Sequence, residues 1–280
     1  MSFRNILLAA LAVAGAPLFV APAPAAAIHR LECQAPVDLV KLSRPLARIS
    51  ARLLRHEDIT ILALGSSSTF GTGASRSEFS YPSRLEHELH TLLPKMKVKV
   101  LNRGVGGEDA RQMLARLDRD LTNKPDLVLW QVGTNALLGE NGVETQAPLI
   151  RDGLRRIRAA GADVILIDPQ YAPHVLRDPD ARPMVALLAK IGAEANVPVF
   201  RRFALMQHWH EAREYAFSDM LAPDLFHMND WSYGCLARNL AAALVANAQA
   251  SPAQPTVTNA SAAPAPAQST AAAQAKTASH

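Results

Sequence analysis

From Asp58 onward the chain alternates short apolar runs with longer amphipathic ones, the pattern of βα units wound around a parallel sheet. The runs predict strands over residues 59–64, 98–101, 127–132, 164–167 and 197–200. Each is apolar enough to be covered on both faces. The intervening segments predict helices over residues 81–93, 110–121, 148–160 and 184–195, with a last one over about 231–248. Leu114, Leu117 and Leu121 keep the spacing of one helical face. The expected fold is α/β, a flavodoxin-like three-layer α/β/α sandwich with about five parallel strands.

The segments outside this body change the picture of where the protein works. Arg4 precedes an apolar run over residues 6–20, and Ala21-Pro22-Ala23-Pro24-Ala25-Ala26-Ala27 follows it. That is the pattern of a secretory signal peptide, residues 1–27, cleaved after Ala27. The run is short for a membrane span and ends in Pro and Ala rather than in basic residues, so no stable anchor is expected after cleavage. Cys33 follows Leu31-Glu32, which lacks the small residues of a lipoprotein site. Residues 28–57 form an arm in which Leu46, Ile49, Leu53 and Leu54 suggest a helix packed on the body of residues 58–248. Residues 249–280, rich in Ala, Pro, Ser, Thr and Gln, have too little apolar surface to offset chain entropy and are expected to be disordered.

Export to the periplasm or beyond permits disulfides, and the chain has two cysteines, Cys33 and Cys235. They are expected either to form one bridge from the arm to the last helix or to remain buried thiols. The net charge of +4 comes from scattered Arg and Lys without a basic block or interleaved aromatics, which excludes nucleic acid as a partner. His208-Trp209-His210 lacks a third metal ligand at useful spacing, and surface or packing roles suit it better. No metal or cofactor is expected. Gly104-Val105-Gly106-Gly107 lacks the third glycine of a dinucleotide fingerprint and follows the second strand rather than the first.

Candidate chemistry collects where an open parallel sheet places its ligands, beyond the carboxyl ends of the strands. The first strand runs into Gly65-Ser66-Ser67-Ser68-Thr69, the second into Asn102-Arg103-Gly104-Val105-Gly106-Gly107, and the third into Gly133-Thr134-Asn135. Asp224-Leu225-Phe226-His227 stands just before the last helix. A serine in a strand-to-helix turn lies close to unpaired backbone amides. Glycine lets another N–H approach without a side chain in the way, and asparagine offers a carboxamide donor. His227 can take the serine proton while Asp224 holds the imidazole in the right tautomer.

These four blocks, in this order, resemble those of the SGNH hydrolases, the GDSL lipase and esterase family, over residues 59–248. Gly65-Ser66-Ser67-Ser68 stands where that family has Gly-Asp-Ser-Leu, so the resemblance implies Ser67 as nucleophile. It implies Asp224 and His227 as the rest of the triad, and an oxyanion hole from the Ser67 and Gly107 amides with the Asn135 side chain. Two departures stand out: Ser66 replaces an aspartate, and Ala136 stands where aspartate commonly follows the asparagine. An α/β-hydrolase elbow fits less well, because Thr69 occupies a glycine position and Asp224 and His227 share one loop.

The expected activity is hydrolysis of small, acetyl-like esters, with a small acyl ester or an acylated carbohydrate as substrate. A polysaccharide O-acyltransferase using the same triad is a rival, and a non-catalytic carbohydrate-binding module is another. Asp168-Pro169-Gln170-Tyr171, after the fourth strand, is expected to wall the cleft.

Overall fold

A computed structural model describes residues 32–33, 35–139 and 142–250. The expected signal peptide lies outside the described residues, and so does the expected tail from residue 251 on. From Cys33 onward the described residues form one compact unit. The arm contributes α1 (Val37–Val40) and α2 (Ala47–Leu54). The body then runs through β1 (Ile59–Gly65), α3 (Ser67–Phe70), a 3-10 turn at Ser77–Phe79, α4 (Tyr81–Leu92), β2 (Val98–Gly104) and α5 (Ala110–Leu121). Next come β3 (Leu127–Gln131), α6 (Thr134–Leu137), α7 (Gln146–Ala159), β4 (Asp163–Ile167), α8 (Pro173–Leu176) and α9 (Ala181–Glu194). The chain ends in β5 (Val199–Phe200), α10 (Arg202–Glu211), α11 (Phe217–Met220) and α12 (Asp230–Ala250).

The five strands form one parallel sheet in the order β2-β1-β3-β4-β5, the flavodoxin-like order. α4 packs on α12, with α2 beside it, while α5, α7 and α9 pack in succession as a second helical layer. Leu62, Ala63 and Leu64 of β1, Val128 to Trp130 of β3 and Ile165 to Ile167 of β4 are fully buried. This is the physical content of strands that are apolar on both faces. β1 lies between β2 and β3 because the chain reverses its winding direction there, so the loops after β1, β2 and β3 crowd one point of the carboxyl edge.

Three differences from the sequence pattern have plain causes. α12 runs to Ala250, two residues past the expected tail boundary, because Ala continues a helix readily. α10 was not expected, since it opens on Arg202, a charged residue that is completely buried and so hides the apolar face of Phe203, Leu205, Met206 and Trp209. Asp168 and Gln170 are buried scaffold rather than cleft wall. The Asp168 carboxylate accepts the Phe203 N–H at 2.8 Å, and Gln170 accepts from Thr134 Oγ1 and from Arg202, each at 3.1 Å.

The arm closes the opposite, amino edge of the sheet. Asp126, just before β3, accepts from Arg48 at 2.7 Å, Arg52 at 2.9 Å and the Thr60 N–H at 3.0 Å. The Ile49 N–H reaches Asp163 at 3.0 Å, and the Leu46 N–H reaches Asn247 of α12 at 3.1 Å. A disulfide joins Cys33 to Cys235, with Cα atoms 5.0 Å apart. The described helices include none long and apolar enough to cross a membrane.

Candidate active site

The turn after β1 is fixed from below by one side chain. Gln131, the last residue of β3 and buried, accepts at its Oε1 from the Ser66 N–H (3.0 Å), the Ser66 hydroxyl (3.1 Å) and the Thr69 hydroxyl (3.1 Å). Space for this arrangement exists only because residue 65 is glycine: a Cβ there would fall 2.1 Å from Thr69 Oγ1 and 2.8 Å from Gln131 Oε1. α3 then starts at Ser67, whose side chain is partly exposed while Ser66, Ser68 and Thr69 are buried. The Thr69 and Phe70 amides turn back to the Ser66 carbonyl at 3.0 and 2.9 Å, whereas the Ser67 and Ser68 amides, at the helix start, have no carbonyl one turn earlier to bond. Gln131 carries no motif, though a polar residue closing an otherwise apolar strand is the signal that could have singled it out.

The loop after β2 is tied to the same turn. The Val105 N–H donates to the Gly65 carbonyl at 3.0 Å. Arg116 of α5 donates to the Gly65 and Arg103 carbonyls at 3.3 and 2.8 Å, to Glu108 at 2.7 Å and to Asp120 at 2.6 Å. One guanidinium thus clamps the carboxyl ends of β1 and β2 to the start of α5, using the fork that only Arg offers. Gly107 has φ +80° and is exposed. Next to it, the Glu108 carbonyl accepts from Asn135 Nδ2 at 2.8 Å, which links the loops after β2 and β3. A carboxamide has two N–H donors, and one suffices for this link. Ala136 is buried, and α6 is tied down by the Thr134 hydroxyl bonding Gln170 at 3.1 Å rather than by a charge after Asn135.

The fourth block hangs from a small hairpin. Leu221 and Met228 form an antiparallel bridge, and the Ala222 N–H donates to the His227 carbonyl at 2.8 Å. Leu225 takes φ +51°, a left-handed conformation that costs a non-glycine residue about 1 kcal/mol. The turn this allows directs the Phe226 and His227 N–H groups at Asp224 Oδ1, at 3.0 and 2.9 Å. Asn229 then caps α12, accepting the Ser232 N–H at 3.1 Å.

The imidazole stands between two partners: His227 Nδ1 lies 2.6 Å from Asp224 Oδ2, and Nε2 lies 2.8 Å from Ser67 Oγ. With Asp224 as acceptor, Nδ1 carries the proton and Nε2 is left to accept from the Ser67 hydroxyl. Partial burial raises the Asp224 pKa, and the hydrogen bonds from the His227 ring and from the His227 and Phe226 amides outweigh it, so the carboxyl titrates below its ordinary value. The structure therefore brings Ser67, His227 and Asp224 into one chain of contacts, with Gly107 and Asn135 on loops tied to each other. One exposed apolar residue lies in or shortly after each block: Phe70, Val105, Leu138 and Leu225.

His208-Trp209-His210 lies elsewhere, on α10. Trp209 is buried, and His210 stacks on Phe217 at 4.0 Å while its ring N–H donates to the Tyr215 carbonyl at 2.8 Å. Among the described residues no group of three or more His, Cys, Asp or Glu is placed to hold a metal.

A five-stranded parallel sheet with helices on both faces and these four blocks at its carboxyl edge is the arrangement of an SGNH-type ester hydrolase. The model of the non-GDSL lipase-like family matches residues 32–250, and the chain belongs to that family. Ser66-Ser67-Ser68 agrees with the family's description, since the Asp and Leu of the GDSL block are both absent.

Among solved structures, a two-domain esterase active on acetylated mannans is similar at 21% identity and a TM-score of 0.61, over 77% of this chain and 57% of that one. The chain thus spans under two thirds of that relative's length. An acetylxylan esterase from Geobacillus stearothermophilus aligns at 20% identity and a TM-score of 0.57, over 67% of this chain and 94% of its own. A lipase/acylhydrolase from Enterococcus faecalis aligns at 24% identity and a TM-score of 0.56, over 66% and 94%. At these identities the likeness establishes the fold. No curated protein matches the sequence.

Proposed function

We propose that this chain is an exported serine esterase that removes small, acetyl-like acyl groups from carbohydrate through a Ser67-His227-Asp224 triad. The observation that carries this is the single imidazole bridging a serine hydroxyl at 2.8 Å and a carboxylate at 2.6 Å. Ser67 Oγ attacks the ester carbonyl as its proton passes to His227 Nε2. The developing oxyanion is held by the Ser67 and Gly107 amides and the free N–H of the Asn135 carboxamide. Collapse expels the sugar alkoxide, which takes the proton back from His227. Water, deprotonated by the same nitrogen, then releases the acid and regenerates Ser67. The Asp224 carboxylate stabilises the transient imidazolium.

Carbohydrate as the alcohol component is supported by the activities of the acetylmannan and acetylxylan esterases to which the fold is similar. Exposed apolar side chains around the four blocks suit an acyl methyl. Export is supported by the sequence pattern before residue 28 and by the disulfide. The test is turnover of p-nitrophenyl acetate by wild type and Ser67→Ala. A loss of at least about 1,000-fold in kcat is expected, and wild-type turnover in the variant would refute the assignment. Deacetylation of acetylated xylan or mannan, measured as acetate released, tests the carbohydrate component separately.

A further inference from the structure

We infer that a groove beside the His227 loop is a subsite for neutral pyranose units of the polymer that bears the ester, with Trp231 as its stacking surface. This rests on the esterase assignment for the neighbouring triad and adds a binding site to it. The groove has a volume of about 570 Å³, and Gly73, Ser75, Ala222, Leu225, Asp230 and Trp231 are among its lining residues. That volume is ample for a sugar ring.

One wall of the groove is the loop that holds the imidazole. A Cβ on Gly73 would fall 2.9 Å from His227 Cβ and 2.4 Å from the Met228 carbonyl oxygen, so the groove packs directly on the His227 side chain's root and the backbone after it. Leu225, between Asp224 and His227, is 42% exposed. A ligand seated here lies alongside the triad without occupying it.

The lining has the two kinds of surface that a pyranose presents. A sugar ring has apolar C–H faces and a rim of hydroxyls. Trp231 supplies an aromatic surface with a negative face, which attracts C–H groups. Its indole is held edge-on by Trp209 at 5.0 Å and Tyr215 at 5.5 Å, so little side-chain entropy is lost when a ligand stacks on it. For the rim there is Asp230, whose two oxygens accept the Ser75 N–H at 2.8 Å and the Ser75 hydroxyl at 2.6 Å. A carboxylate has about four acceptor sites, and those remaining can take sugar hydroxyls. Asp230 is the one charged residue lining the groove, and it repels uronic acids, which limits the ligand to neutral sugars.

The test is a titration of isotope-labelled wild-type protein with unacetylated xylohexaose, mannohexaose and hexagalacturonate, followed by NMR. Saturable shifts are expected at the amides of residues 73, 75, 225, 230 and 231 and at the Trp231 indole with a neutral hexamer, and none with the galacturonate. Trp231→Ala should weaken binding about tenfold, with Trp231→Phe retaining most of it. The same variant should lower kcat/KM on the acetylated hexamer relative to that on p-nitrophenyl acetate. If Trp231→Ala fails to fold, the wild-type shift map decides alone. Shifts absent from these residues with both neutral hexamers, or galacturonate binding as tightly, would overturn the subsite. A protein inert toward p-nitrophenyl acetate that still binds the hexamer would refute the esterase assignment and leave the groove standing.

Discussion

Ser66 donates its buried hydroxyl to Gln131 Oε1, an oxygen that already serves the Ser66 amide and the Thr69 hydroxyl. The replacement of aspartate at this position therefore has a local physical reason. A carboxylate cannot donate, and turning the Gln131 amide to present its NH₂ would deprive two other buried donors of their acceptor. Ser66→Asp is expected to lower unfolding free energy by about 3 kcal/mol or more, measured by urea denaturation. A variant as stable as wild type would show that Gln131 is not the fixed acceptor described. The contact chain of Ser67, His227 and Asp224, on which the proposed triad rests, could be anticipated in the sequence because such chemistry requires particular residue types in a particular order. Gln131 and Arg116 could not, because their work is done by position: each is an ordinary polar residue until the fold places it under the turn.

At the level of elements, all five strands were legible from apolar runs; burial on both faces leaves little room for polar residues in β1, β3 and β4, whereas β2, at the sheet edge, is only partly buried and admits Lys99, Asn102 and Arg103. α10 was hidden by Arg202, whose guanidinium is buried against the Asp168 carbonyl at 2.9 Å and Gln170 at 3.1 Å. Asp168, which joins the end of β4 to the start of α10, has its pKa pushed up to about 7, chiefly by burial. In the unfolded chain an aspartate titrates near about 4. Between those values the folded protein keeps a proton that the unfolded chain has lost, so this group's contribution to stability falls as pH rises from about 4 to about 7 and stays low above. Asp168→Asn keeps an acceptor for the Phe203 N–H and cannot ionise. The stability of wild type relative to Asp168→Asn is thus expected to be lower at pH 8 than at pH 5 in urea unfolding. A difference that is constant or grows with pH would contradict the assignment.

Across the whole molecule the two edges of the sheet have separate tasks. The amino edge is sealed by the arm through Asp126 and Asp163, and the carboxyl edge carries the loops that hold the proposed triad. The Cys33–Cys235 bond spans 202 residues, for which chain-entropy models give about 5 kcal/mol of stabilisation. Cys33→Ser should accordingly lower the urea midpoint, and thiol reductant should do the same to wild type while leaving the variant unaffected. Equal midpoints with and without reductant would remove that role.

The central claim is that one serine among Ser66, Ser67 and Ser68 is activated by an imidazole and a carboxylate brought from 157 or more residues away (224 − 67 = 157). Reaction with a fluorophosphonate followed by peptide mapping tests this most directly, because the probe modifies only a serine whose proton has somewhere to go. A single adduct on Ser67, lost in His227→Ala, is the predicted result; no adduct, or one on a different serine, would contradict it.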